Sequence, residues 1–151
     1  SNGVMMLPYI MGTSKLYGSD MKGSILGIGD DGTDDMLSAS YEALGYIINE
    51  KLEYLLYHGI NFESLELLSS SKDEMLYKII SVSNRSLKYN SIIYKIVKGL
   101  NIEYESGPSI LVPDEEISAK YRQLYSLYKD SVDSLSEVYR HRRKVLRRIS
   151  L

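Results

Sequence analysis

DEEISAKYRQLYSLYKDSVDSLSEVYRHRRKVLRR, residues 114–148, runs without a glycine or proline. Pro113 precedes it, and Asp114, Glu115 and Glu116 place negative charge where a helix dipole is positive. At 1.5 Å per residue an unbroken helix of this length is on the order of 50 Å long, longer than a compact domain of 151 residues is wide. Ile117, Tyr121, Leu124, Tyr128, Ser131, Leu135, Val138, Arg142, Val145 and Ile149 recur in alternating steps of four and three. That is a heptad seam with two polar positions, Ser131 and Arg142. The spacing predicts a C-terminal helix that projects or pairs, with Ile117, Tyr121, Leu124, Tyr128, Leu135 and Val138 at a dimer interface.

Upstream, Leu37, Tyr41, Leu44, Ile48, Leu52 and Leu55 predict a second strong helix from about Asp34 to His58. Thr33 can cap its start, and Gly59 suits the left-handed residue that ends many helices. Asn61 and Ser71 can cap two shorter helices, the first carrying Phe62, Leu65, Leu67 and Leu68, the second ending near Val82. From Ser91 the pattern turns β-branched and aromatic, with turn signals at Lys98-Gly99-Leu100-Asn101 and Glu105-Ser106-Gly107-Pro108, which fits a two- or three-stranded antiparallel ribbon. Residues 1–33 hold seven of the 11 glycines and four of the six methionines, and read as an irregular arm with enough apolar surface to dock. The fold class is therefore mainly α with some β (α+β), in three segments. These are an N-terminal arm (1–33), a helical domain with a small antiparallel β ribbon (34–112), and the long C-terminal helix with its basic tip (113–151).

Composition narrows the chemistry. The chain has no cysteine and only two histidines, His58 and His141, so thiol nucleophiles, disulfides, iron–sulfur ligation and cysteine-built zinc sites are excluded. No metal, cofactor or catalytic residue is expected, and the chain reads as a non-enzyme. No apolar run approaches the ~20 residues of a membrane span, and no secretory leader is visible, so the expectation is a cytoplasmic protein. A single glutamine, Gln123, beside 14 tyrosines gives a thermophile-like bias.

Charge is unevenly distributed. Residues 140–148 hold Arg140, Arg142, Arg143, Lys144, Arg147 and Arg148 and no acid. With those six of the 18 cations set aside, 12 face 20 acids, so a body of net charge −8 carries a tip of +6. Arginine forks engage phosphate bidentately, which points to nucleic acid, or an anionic membrane surface, as partner. Helices followed by a ribbon and a long helix also match the order of a winged-helix domain with a dimerisation helix. In that scheme Lys72, Lys78, Arg85 and Lys88 lie near the groove-reading helix and Lys95 and Lys98 on the wing, although Asp73 and Glu74 oppose close phosphate approach. The expectation is a dimeric nucleic-acid-binding regulator or architectural subunit. The alternative is a structural or adaptor subunit that docks on protein neighbours through its arm and basic helix.

Other motifs fail on spacing. Asp30-Asp31-Gly32-Thr33-Asp34-Asp35 lacks the EF-hand register and reads as helix-start charge. Gly23-Ser24-Ile25-Leu26-Gly27-Ile28-Gly29 and Gly12-Thr13-Ser14-Lys15 lack the lysine or glycine register of a phosphate loop. His58 reads as a helix-end residue and His141 as part of the basic face. Tyr121, Tyr125, Tyr128 and Tyr139, at helical spacing, read as packing residues rather than base-stacking ones.

Overall fold

The computed structural model describes residues 1–9, 20–29, 32–62, 65–69, 81–83, 86–91 and 109–149. The order is β1 (Met5–Leu7), β2 (Ser24–Leu26), α1 (Thr33–Tyr57), β3 (Leu65–Ser69), β4 (Leu87–Ser91), β5 (Ser109–Leu111) and α2 (Glu115–Arg148). The chain is mainly helical, with a small two-stranded antiparallel sheet and a long C-terminal helix, as the sequence pattern indicates. It divides into two compact units, one of Ser1–Leu44 with Arg122–Leu151 and one of Gly45–Tyr121, so the division falls inside both α1 and α2.

The ends of both long helices follow from local chemistry. Asp114 caps α2: its Oδ1 accepts the backbone N–H of Ile117 at 2.9 Å. At the far end of α1, Gly59 has φ +78°, its N–H donates to the Leu56 carbonyl, and the Ile60 N–H donates to the Leu55 carbonyl, both at 3.0 Å. That pair of bonds is the Schellman arrangement, and it needs a left-handed residue at position 59.

In the first unit, β1 and β2 pair antiparallel with Met5 opposite Leu26, Met6 opposite Ile25 and Leu7 opposite Ser24. Residues 1–33, expected as an irregular arm, thus contribute a β-hairpin, and Val4, Leu7, Tyr9 and Met21 are buried core. The glycine density that suggests irregularity is partly a packing requirement. Gly27, at φ +72°, lies so close to Gly3 that a Cβ there would meet the Gly3 carbonyl oxygen at 2.6 Å. On α2 the buried residues of this unit are Tyr125, Tyr128 and Val132. The buried stripe of α2 shares Tyr121 and Tyr128 with the apolar seam read from sequence but otherwise departs from it: Tyr125 and Val132 are inside, while Leu124 is exposed and Ser131 half-buried.

The face of α1 also differs from expectation. Leu37 and Leu44 are exposed, whereas Ala39, Glu42 and Ala43 are buried in the first unit and Tyr46, Glu50 and Leu52 in the second. Small residues at 39 and 43 let neighbouring backbone approach, and a reading that follows bulky apolar residues misses such a stripe. Glu42 tolerates burial because it accepts a hydrogen bond from the Ser1 hydroxyl at 2.6 Å.

In the second unit, β3, β4 and β5 form a sheet in that order, β3 parallel to β4 and β4 antiparallel to β5. Leu65 pairs with Leu87, Glu66 with Lys88, and Lys88 in turn with Ile110. This corrects two expectations. The segment read as a short helix from Asn61 carrying Leu65, Leu67 and Leu68 is strand β3, because a brief apolar run is equally compatible with helix and strand and its partner decides. The sheet is mixed rather than a purely antiparallel ribbon, since β3 and β4 run parallel and a parallel pair requires a crossover connection, here helical at 81–83. A winged-helix order has no place for a parallel β3–β4 pair. Most of the expected helix from Ser71 to Val82, and most of the ribbon over 92–108, lies outside the described residues.

Candidate functional site

Alternation along the hairpin puts Met5 and Leu7 in the core and leaves Met6 and Ile25 paired on the other face. Beside them lies an open cleft of about 440 Å³, lined by Met6, Leu7, Pro8 and Ile25 together with Lys22, Gly23 and Ser24. Two tyrosines of α2 fasten this hairpin. The Tyr128 hydroxyl lies 2.5 Å from that of Tyr9, and the Tyr139 hydroxyl lies 2.7 Å from Ser24 Oγ. Both rings present one polar tip to the hairpin while their bodies pack, the usual dual use of a tyrosine. Tyr125 stacks near Tyr128 with ring centroids 6.1 Å apart, and Lys129 Nζ lies 4.6 Å from the Tyr125 ring. Lys22 is exposed and pairs with no carboxylate among the described residues.

One cation of the basic tip is engaged within the chain and the other five are exposed. Arg143 is held by Asp20, its Nη1 in contact with Asp20 Oδ1, so one of the six cations is already neutralised within the first unit. Arg140, Arg142, Lys144, Arg147 and Arg148 are exposed on the last turns of α2, where positive charge offsets the helix dipole. Lys88 is exposed on the central strand β4 rather than beside a recognition helix. Lys72, Lys78 and Arg85, with Lys95 and Lys98, lie outside the described residues. Of the seam positions, Tyr121 and Tyr128 are buried by the chain's own fold, Ile117 and Leu135 are half-buried, and Leu124 and Val138 are exposed.

His58 closes α1 against the rings of Tyr54 and Tyr57, with centroids 4.3 and 5.3 Å away, and is exposed. His141 is exposed on α2, and Asp35 accepts a hydrogen bond from Asn2 Nδ2 at 3.1 Å. No group of three or more His, Asp or Glu side chains poised for a metal occurs among the described residues. No helix there is long and apolar enough to cross a membrane. Sequence reasoning alone does not find the hairpin cleft, with Lys22, Ser24 and Tyr139. The one signal for it is Gly23–Gly29, which fails as a phosphate loop and in which Gly27 instead allows close approach to Gly3.

No protein-family model matches the sequence, and no curated protein matches it. Solved structures do match in backbone. A xylulose kinase from Rhodospirillum rubrum superposes with a TM-score of 0.73 at 15% identity, covering 91% of this chain and 32% of that one. A kinase of the same kind from Brucella ovis gives 0.72 at 17% identity, over 89% and 32% of the two chains. A gluconate kinase from Lactobacillus acidophilus gives 0.72 at 15% identity, over 91% and 32%. The fold is thus one that sugar kinases contain, and the chain spans about a third of their length. These likenesses overturn the reading as a non-enzymatic nucleic-acid-binding regulator or a docking adaptor. The basic tip that carried that reading is a helix terminus with one arginine committed to Asp20.

Proposed function

We propose that the chain is one domain of a sugar-kinase-like protein, the fold unit that in its structural neighbours forms about a third of a carbohydrate kinase. The observation that carries this is the backbone likeness over nine-tenths of the chain to kinases of xylulose and of gluconate. On this reading the substrate class is a small sugar or sugar acid, the co-substrate is a nucleoside triphosphate, and these 151 residues correspond to about a third of such a kinase. The chain by itself therefore turns over no substrate, and its contribution is to bind and orient.

The test is calorimetric titration of the chain with MgATP, D-xylulose and D-gluconate, alongside a coupled assay of ADP release. Saturable binding of one of the three without turnover is the expected result. Absence of binding across the set overturns the reading.

A further inference from the structure

The hairpin cleft is chemically unsuited to a sugar. A polyol asks for a hydrogen-bond partner at nearly every hydroxyl, whereas the walls here are Met6, Leu7, Pro8 and Ile25. The one side-chain hydroxyl at the cleft, Ser24 Oγ, is already engaged by Tyr139 at 2.7 Å. The cleft's volume of about 440 Å³ nonetheless falls in the range of small-molecule sites. Its floor is rigidly backed: Leu7 is fully buried, and the hairpin is tied to α2 through Tyr9–Tyr128 and Ser24–Tyr139. Its lining includes Lys22, exposed and without a carboxylate partner among the described residues, next to Gly23, whose backbone has no side chain to shield it.

We infer that this cleft binds a small aliphatic anion, its hydrocarbon chain against Met6, Pro8 and Ile25 and its carboxylate or phosphate head on Lys22 Nζ. The aliphatic wall selects the body, because it offers no aromatic face to stack a base and no free polar groups to read one. The uncompensated lysine selects the charge. The inference does not rest on the kinase reading, so either can fail alone.

The experiment is an amide-shift titration of the isotopically labelled full chain with octanoate and, separately, octyl phosphate, with octanol as the neutral control. Saturable shifts at Met6, Leu7 and Lys22–Ile25 are expected, with octanol weaker, and the tighter of the two anions identifies the head group. Lys22→Gln weakens binding about five-fold, the effect of one partly exposed ion pair, while Lys22→Arg retains it. Three results overturn the inference: no saturable shifts with either anion, shifts confined to residues 140–148, or equal binding by wild type and Lys22→Gln.

Discussion

The hydroxyls of Tyr9 and Tyr128, 119 residues apart in sequence, meet at 2.5 Å in a buried setting, with Tyr128 fully inaccessible and Tyr9 8% exposed. One residue follows the first strand and the other lies midway along the last helix, so this bond joins the two ends of the chain within one compact unit. Tyr128→Phe keeps the ring and removes the bond, and is expected to lower unfolding free energy by about 1 kcal/mol. Tyr128→Ala also empties the ring's volume and is expected to cost ~3–5 kcal/mol. Urea unfolding of both variants, and of Tyr9→Phe with the double variant, measures the pair. A coupling near zero in that cycle would show that the hydroxyls do not stabilise each other.

Two glycines with similar backbone angles predict unequal costs. Gly59 (φ +78°) and Gly27 (φ +72°) are both left-handed, but a Cβ at 59 meets nothing within 4 Å while one at 27 meets the Gly3 carbonyl oxygen at 2.6 Å. Gly59→Ala therefore carries only the conformational penalty, about 1 kcal/mol. Gly27→Ala adds a backbone clash that side-chain motion cannot relieve, so its loss is expected to be at least twice as large. Thermal unfolding of the two variants orders them, and equal shifts in Tm would contradict the close approach of Gly27 to Gly3.

Gly59 and Asp114 also show why some elements are legible in the amino-acid sequence and others are not. The extent of α1 and α2 can be read because these two residues act locally, through a left-handed angle and a side-chain cap that involve neighbours in sequence. Strand β3 cannot, since Leu65-Glu66-Leu67-Leu68-Ser69 acquires its state from pairing with Leu87–Ser91, a partner far along the chain that no local pattern in residues 65–69 announces. The buried faces of both helices match the apolar pattern only in part, at Leu52, Tyr121 and Tyr128, because Ala39, Ala43 and Tyr125 do the packing where larger aliphatics at 37, 44 and 124 stay exposed. Function is the least legible. The six-cation tip is the loudest feature of the sequence, yet one of its arginines, Arg143, is engaged by Asp20, whereas the hairpin cleft is assembled from residues of ordinary type.

Alkaline stability depends on the first turns of α2. Lys120 Nζ lies 2.7 Å from Glu116 Oε1, and that hydrogen bond, then the carboxylate's charge, raises the lysine pKa above its ordinary 10.5, with desolvation opposing and Asp114 adding a smaller push. A cation whose pKa is higher folded than unfolded contributes stability that is complete below the unfolded value and disappears as pH rises through the folded one. Lys120→Gln is thus expected to lower the urea midpoint slightly at neutral pH and to have no effect in solution well above the raised pKa. Because both side chains are exposed, the neutral-pH effect is small. A difference that persists unchanged into strong alkali would assign it to something other than the lysine's charge.

Arg143 separates a structural from a recognition role for the basic tip. It contacts Asp20 across 123 residues with both side chains only partly exposed, whereas Arg147 is exposed and makes no ion pair among the described residues. Arg143→Ala is expected to destabilise the chain by up to ~1 kcal/mol at low salt, while Arg147→Ala stays within experimental error. At about 1 M salt the Debye length falls to ~3 Å, so the gap between the two variants should shrink. Asp20→Asn should reproduce the Arg143→Ala loss, and combining the two should add little further, since both remove the same pair. Equal stability of Arg143→Ala and Arg147→Ala at low salt would mean that Arg143 contributes no more to the fold than its exposed neighbours.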